Sequence, residues 1–247
     1  MNIVILNPNS TQSMTDDMAK VAAETVAAMT GHHNTANKIC IKARTNVGAP
    51  AAIQGPVDAQ AAIAGMLRMV EEYTSDDSMA QLPVDSIIIG CADDVGLHEI
   101  HELVEKRCGG SSKKKKPTIL GITQAASIAS LCLLAPNSKF AIVTTVPQAV
   151  PVLERNLQDY GTHTRCAGVW AANVPVLDLE QKPQESLARL FATIKQALDQ
   201  GASAIILGCA GMSPLRSQMQ KQFPSLLFLD GVQAATRIAV AMCDYGQ

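Results

Sequence analysis

Short apolar runs alternate with longer stretches of helical periodicity along this chain. The apolar runs are rich in Ile, Val and Leu and have the length of buried strands. They lie at residues 3–6, 38–44, 86–89, 118–122, 140–144, 164–169, 204–207 and 226–229. Helical patterns occur between most of them, at residues 13–29, 60–73, 152–160, 184–200 and 232–242. This alternation predicts an α/β fold in which parallel sheets are covered by helices.

Two segments about half a chain length apart repeat the same strand-to-loop junction. Residues 85–97 read DSIIIGCADDVGL, and residues 203–215 read SAIILGCAGMSPL. A weaker similarity pairs the strand ends at residues 7–9 and 144–146. Repeated junctions of this kind predict two similar lobes that face each other. Any two buried strands resemble one another to some degree, and the shared Gly-Cys-Ala is what favours a true repeat.

The composition excludes several classes of partner. Of 247 residues, 47% are hydrophobic and 17% are charged, enough for one large core or two small ones. A net charge of −2 gives no electrostatic reason to expect nucleic acid or an anionic membrane as a partner. The N-terminus lacks a signal-peptide pattern, and no apolar run approaches the roughly 20 residues that span a bilayer. We expect a cytoplasmic protein that binds a small-molecule substrate.

No metal or organic cofactor is expected either. The seven cysteines are scattered, and no pair has C-x-x-C spacing, so reduced thiols are favoured over disulfides or structural zinc. The five histidines show no metal-ligand spacing, and the chain contains neither a P-loop nor a GxGxxG motif.

Cys91 and Cys209 each follow a glycine at the end of a predicted strand. Ligands of parallel sheets bind beyond such strand ends, and backbone N–H groups there are expected to lower the thiol pKa. Two thiols on opposite faces of one carbon can invert its configuration, since one removes a proton while the other supplies one. A single cysteine in such a position is more simply a small buried apolar residue. The matched pair favours proton chemistry.

These motifs carry a family resemblance that extends over nearly the whole chain. NPNST-x-x-MT, APAAIQG, GCADDVGL, FAIVTTVPQAVPVLERNLQDYG, NVPVLDLE, ILGCAGM and FLDGVQAA occur in the order found in hydantoin and allantoin racemases. The chain thus resembles members of the aspartate/glutamate racemase superfamily. The resemblance implies two pseudo-symmetric α/β lobes, residues 1–97 plus 212–247 and residues 98–211, with the active site in the cleft between them. It also implies a homo-oligomer and cofactor-independent racemisation by the Cys91 and Cys209 thiols.

The resemblance places the substrate against Asn9, Ser10, Thr11, Thr144 and Thr145. Asn9, Ser10 and Thr11 are also good caps for the first helix. Further candidates for substrate binding are Pro50, Ala92, Asp93, Gly208, Ala210 and Gly211. Gly208 and Gly211 allow close backbone approach and are expected to have N–H groups free for a developing enolate oxygen.

The loop after the first cysteine departs from the family pattern. Relatives commonly have Phe-Gly-Asp-Pro-Gly there, whereas this chain has Ala92-Asp93-Asp94-Val95-Gly96. Ala92 removes an aromatic wall, and a carboxylate at Asp93 would oppose a thiolate at Cys91. Asp93 either accepts hydrogen bonds from N–H groups of the substrate or turns to water or caps the next helix. Residues 109–117, with four consecutive lysines, resemble an insertion, most simply a solvated loop.

Three functions remain open at this point. The leading hypothesis is racemisation at C5 of a hydantoin-type ring, either a 5-substituted hydantoin or allantoin, because the flanking carbonyl already acidifies that C–H bond. The second is an amino-acid racemase or a cis–trans isomerase of a small diacid, on the same fold. The third is a small-molecule sensor that has lost turnover. The absence of an obvious arginine clamp favours the neutral ring.

Overall fold

The strands form two parallel sheets with the same connectivity. The computed structural model describes residues 1–30, 39–74, 83–108 and 116–243. Its first four strands are β1 (Asn2–Asn7), β2 (Cys40–Thr45), β3 (Ser86–Ile89) and β4 (Thr118–Gly121). The next four are β5 (Lys139–Thr144), β6 (Cys166–Ala171), β7 (Ala202–Gly208) and β8 (Leu227–Leu229). The strand orders are β2-β1-β3-β4 and β6-β5-β7-β8, so β1 corresponds to β5 and β3 to β7.

Helices connect the strands and cover both faces of each sheet. The first five are α1 (Gln12–Thr30), α2 (Pro56–Thr74), α3 (Leu97–Cys108), α4 (Ile122–Leu133) and α5 (Val150–Asp159). They are followed, in the described part of the chain, by α6 (Asp178–Gln181), α7 (Pro183–Asp199), α8 (Arg216–Gln222) and α9 (Gly231–Met242). Short 3₁₀ segments occupy Pro147–Ala149, His163–Arg165 and Ala210–Leu215. Ile122, predicted as the end of a strand, instead begins α4.

Side chains that alternate along each strand separate the core into layers. In β1, Ile3 and Ile5 pack into a central cluster, whereas Val4 and Leu6 pack towards α2 and α3. Phe140 of β5 joins the same central cluster as Ile3 and Ile5. The two sheets therefore share one apolar core. Both faces of the inner strands are buried, which explains why their sequences read as continuous apolar runs.

The predicted α/β fold with two similar lobes is confirmed, but the predicted lobe boundaries need correction. Residues 98–121, expected in the second lobe, include α3 and β4, and β4 pairs with β3 in the first sheet. Conversely, β8 lies in the range expected for the first lobe but pairs with β7. The helix that follows, α9, does return to pack against α1. Each sheet keeps its own crossover helices, because parallel neighbours need such connections.

Some predicted features lie outside the described residues. These are the strand start at residue 38, two of the histidines (residues 32 and 33) and most of the lysine-rich insertion, residues 109–115. No helix within the described part of the chain is long and apolar enough to cross a membrane.

Candidate active site

A narrow cavity lies where the carboxyl ends of the two sheets meet. Cys91 follows β3 and Cys209 follows β7, and both thiols line this cavity. The space that water molecules can reach inside it is about 30 Å³, so the cavity is small and tight. The lining residues are Asn7, Asn9, Met14, Met18, Ile53, Gly90, Cys91, Ala92, Asp93, Thr144, Thr145, Ala149, Val176, Gly208, Cys209, Ala210 and Gly211.

A larger groove of about 500 Å³ lies elsewhere, between α1, α8 and the start of α9. Its walls carry charges of both signs, and neither Cys91 nor Cys209 reaches it. The smaller cavity is the candidate active site because both Gly-Cys-Ala thiols line it, one from each lobe.

Neighbouring groups pack closely against the glycine of each Gly-Cys-Ala motif, side chains alone at Gly90 and side chains plus backbone at Gly208. A Cβ atom on Gly90 would lie 2.4 Å from Sδ of Met18. A Cβ atom on Gly208 would lie 2.7 Å from Cγ2 of Ile142 and 2.9 Å from the carbonyl oxygen of Val143. Packing therefore explains why glycine recurs in the motif, because a residue without a side chain lets each cysteine lie close to the neighbouring central strand or helix.

Burial raises the pKa of both thiols. For Cys91 the next largest cause is the negative charge of Asp93, and together they place the thiol pKa well above its ordinary value. For Cys209, burial raises the pKa to about 11, although the Gly211 N–H and the Thr145 hydroxyl donate hydrogen bonds that lower it. The expected lowering of the thiol pKa is thus wrong for the ligand-free site, because desolvation outweighs the donors. The prediction that the Gly211 N–H is free for an enolate oxygen is also wrong, because this N–H donates a hydrogen bond to Cys209.

Asp94 fixes the loop that follows Cys91 to both lobes. Its carboxylate accepts hydrogen bonds from the backbone N–H groups of Thr123 (3.1 Å) and Gln124 (2.9 Å) at the start of α4. It also accepts one from the Tyr160 hydroxyl (2.8 Å), just after α5. Burial raises the pKa of Asp94 to about 7, although these three hydrogen bonds lower it. Asp94 adopts a φ of 48°, in the left-handed region that aspartate tolerates better than most residues.

Asp93 faces the cavity, so the alternative in which it turns to water or caps the next helix is wrong. Its backbone carbonyl accepts a hydrogen bond from the Asn156 side chain (3.0 Å), which ties the loop to α5. No side-chain or backbone group within the described ranges donates a hydrogen bond to its carboxylate. Burial accordingly raises the Asp93 pKa to about 7. The residue that caps a helix is its neighbour, Asp94.

Asn9 is the polar side chain of the first loop that points into the cavity. Its Oδ1 accepts hydrogen bonds from Nδ2 of Asn7 and from the backbone N–H of Thr11, both at 2.9 Å. Its Nδ2 meets only Sδ of Met14 at 3.4 Å, a weak acceptor. One amide donor of Asn9 is therefore available for a ligand carbonyl.

The two threonines at the end of β5 have different tasks. The Thr144 hydroxyl donates to the carbonyl oxygen of Gly208 at 2.8 Å and so joins β5 to β7. The Thr145 hydroxyl instead faces the Cys209 thiol, whose pKa it lowers. Of the pair, Thr145 is the one placed to influence proton transfer.

The known proteins that this chain resembles over its whole length include racemases. The family model for Asp/Glu/Hydantoin racemases matches residues 3–239. The chain belongs to this family. It is 34% identical to the hydantoin racemase of Rhizobium meliloti over 247 residues, covering 100% of this chain and 90% of that one. An allantoin racemase structure from Klebsiella pneumoniae has a TM-score of 0.78 at 25% identity and covers 100% of this chain and 89% of the other. A glutamate racemase from Campylobacter jejuni, at 13% identity and a TM-score of 0.63, shares the fold, with coverage of 98% and 85%.

Membership of this racemase family confirms that the chain is an enzyme of the isomerase class.

Most residues predicted for the candidate site line the cavity, but Ser10, Thr11 and Pro50 do not. The Ser10 N–H donates to the Pro50 carbonyl (3.0 Å), and the Thr11 hydroxyl donates to the Ala51 carbonyl (2.6 Å). These residues fix the first loop to the segment before α2, which in turn brings Ile53 to the cavity wall.

The apolar walls of the candidate site were not predicted from the sequence. Met14 and Met18 lie one turn apart on α1, a spacing that could have identified a shared buried face. Ile53 and Val176 come from loops of opposite lobes, and nothing in their local sequence predicts that they meet at one cavity.

Proposed function

We propose that this enzyme racemises a hydantoin-type ring, a 5-substituted hydantoin or allantoin, at C5, with Cys91 and Cys209 as the opposed acid and base. The observation that carries the proposal is the position of the two thiols, which line one narrow cavity from equivalent strand ends of the two lobes. Stereoinversion requires proton donors and acceptors on both faces of one carbon.

In the proposed reaction one thiolate removes the C5 proton, and the electron pair moves into the neighbouring carbonyl as an enolate. The opposite thiol then protonates C5 from the other face and becomes the thiolate, so charge and protons balance. Because burial raises both thiol pKa values, each thiolate is scarce but strongly basic once formed, which suits a weak carbon acid. Cys209, with hydrogen bonds from Thr145 and Gly211, is the more easily ionised of the two.

The free amide donor of Asn9 supplies the electrophilic assistance in this scheme. Its Nδ2 donates to the ring carbonyl next to C5 and stabilises the charge that develops on the enolate oxygen. The hydrogen bonds from Asn7 and Thr11 to Oδ1 hold the amide with its NH₂ group towards the cavity.

The charge of the cavity favours a neutral ring over an amino acid or a diacid. None of the described residues that line it is a lysine, arginine or histidine, and Asp93 adds a carboxylate. A substrate carboxylate would be buried there without a cation and close to a like charge, which is costly. A hydantoin ring instead offers carbonyls to Asn9 and N–H groups to acceptors.

The test is optical rotation with single enantiomers of allantoin and 5-methylhydantoin, corrected for the background without enzyme. Wild type should lose rotation, and Cys91→Ala and Cys209→Ala should each slow the loss by about 100-fold or more. Cys132→Ala, which removes an exposed thiol of α4, is the matched control and should retain full rate. Near-native turnover in either cavity variant would overturn the two-thiol mechanism. Rotation loss with glutamate or aspartate alone would favour the amino-acid alternative, and binding without turnover would favour a sensor.

A further inference from the structure

Asp93 is the one carboxylate that lines the described cavity, and the proposed proton transfer does not use it. The backbone is fixed there from both sides, by Asn156 on the Asp93 carbonyl and by the hydrogen bonds of Asp94 to α4 and Tyr160. The carboxylate therefore stays against the cavity instead of swinging to solvent.

We propose that Asp93 determines specificity at this site by accepting hydrogen bonds from N–H groups on the C5 substituent, and that a ureido group is the substituent it selects. This inference rests on the proposed function, because it assumes that the ring lies between Cys91 and Cys209. A ureido group presents two N–H groups side by side, which match the two oxygens of a carboxylate. It is also neutral and short. An ammonium substituent would have to lose its hydration among apolar walls such as Met14, Ile53 and Val176, at a larger cost.

The same contact couples substrate recognition to the thiols. The negative charge of Asp93 raises the pKa of Cys91 and of Cys209, so both thiols lie within its electrostatic reach. The other acidic group nearby, Asp94, already has hydrogen bonds from α4 and Tyr160. When substrate N–H groups bind Asp93, they offset its charge, and ionisation of either thiol becomes easier. A ureido-bearing ring thereby promotes its own deprotonation, whereas a ring with a methyl group at C5 does not.

The experiment compares kcat/KM for allantoin and 5-methylhydantoin in wild type, Asp93→Gly and Asp93→Asn. Asp199→Asn is the control, because Asp199 is exposed at the end of α7, shortly before β7 begins and at the opposite end of that strand from Cys209. The preference for allantoin should fall by about tenfold or more in Asp93→Gly, because hydrogen bonds to a charged group are lost. The rate with 5-methylhydantoin should rise, because loss of the Asp93 charge lowers the pKa of both thiols. The preference for allantoin in Asp93→Asn should lie between those of wild type and Asp93→Gly, because the asparagine amide still offers one acceptor oxygen but carries no charge.

Two readouts separate this role from a structural one. Iodoacetamide alkylation of Cys91, followed by mass spectrometry as a function of pH without substrate, should show a lower thiol pKa in both Asp93 variants. Calorimetric binding of the two rings gives the preference without turnover. An unchanged preference, or equal loss with both substrates, would overturn the proposal for Asp93. If Cys91→Ala or Cys209→Ala kept full activity, the proposed reaction itself would fail, and the binding preference would still decide the role of Asp93.

Discussion

Replacing Asp93 by asparagine should stabilise the protein at alkaline pH and have little effect at acidic pH. Burial without a hydrogen-bond donor raises the pKa of Asp93 from 3.8 to about 7. Between these values the folded protein keeps a proton that the unfolded chain has already lost. The free energy of unfolding therefore falls as the pH rises through this interval, and the deficit is complete once the pH exceeds 7.

The size of the effect follows from the difference between the two pKa values. Each pKa unit corresponds to about 1.36 kcal/mol, so roughly three units give an upper bound of about 4 kcal/mol. The cavity has room for water, which solvates part of the charge. We therefore expect the difference in the free energy of unfolding between Asp93→Asn and wild type to be about 2–4 kcal/mol more favourable to the variant at pH 8 than at pH 4.

The assay is equilibrium unfolding in urea at pH 4, 6 and 8, with wild type, Asp93→Asn and the control Asp199→Asn. Asp94, whose pKa is also about 7, titrates in all three proteins, and loss of the Asp93 charge lowers the Asp94 pKa, which adds to the stabilisation expected at pH 8. A difference between Asp93→Asn and wild type that is the same at every pH would refute the reasoning. It would mean that the Asp93 carboxylate is solvated or paired, and the specificity proposal would lose its basis.

Other substitutions test single contacts of the site. Thr145→Val should raise the pKa of Cys209 further and slow its alkylation by iodoacetamide at pH 9 by about tenfold, and Thr145→Ser should restore the rate. Gly208→Ala should lower the free energy of unfolding by about 1–3 kcal/mol, because the new Cβ lies 2.9 Å from a backbone oxygen of β5. Tyr160→Phe should lower the free energy of unfolding by about 1–2 kcal/mol, because Asp94 loses a buried hydrogen-bond donor. An unchanged urea midpoint in Gly208→Ala or in Tyr160→Phe would contradict the prediction for that variant.

Local patterns were sufficient to predict most of the fold. Continuous apolar runs predicted β1, β3, β5 and β7, because strands buried on both faces need no polar alternation. The Gly-Cys-Ala repeat predicted that Cys91 and Cys209 occupy equivalent positions, and the sheet orders agree. The lobe boundaries were wrong because strand pairing is a long-range property. The local sequence around residues 118–121 does not indicate that this strand pairs with β3.

The electrostatics of the site were harder to predict than its members. Backbone N–H groups near a thiol suggested a lowered pKa, but the sequence does not reveal how completely the thiols are buried, and burial dominates. Ser10 and Thr11 sit in the correct loop, yet their hydrogen bonds go to Pro50 and Ala51 rather than to the cavity. Whether a polar side chain in a loop faces inwards depends on partners that are distant in sequence.

The central claim is that two thiols act on opposite faces of one carbon, and deuterium incorporation tests it most directly. A single enantiomer of allantoin or 5-methylhydantoin is incubated with the enzyme in D₂O, and the early products are separated on a chiral column for mass spectrometry. If Cys91 and Cys209 are opposed acid and base, the newly formed enantiomer carries deuterium at C5 while the remaining substrate keeps its hydrogen, beyond the background without enzyme. Equal deuterium in both enantiomers from the earliest times would indicate a single base that serves both faces, and it would contradict the two-thiol account.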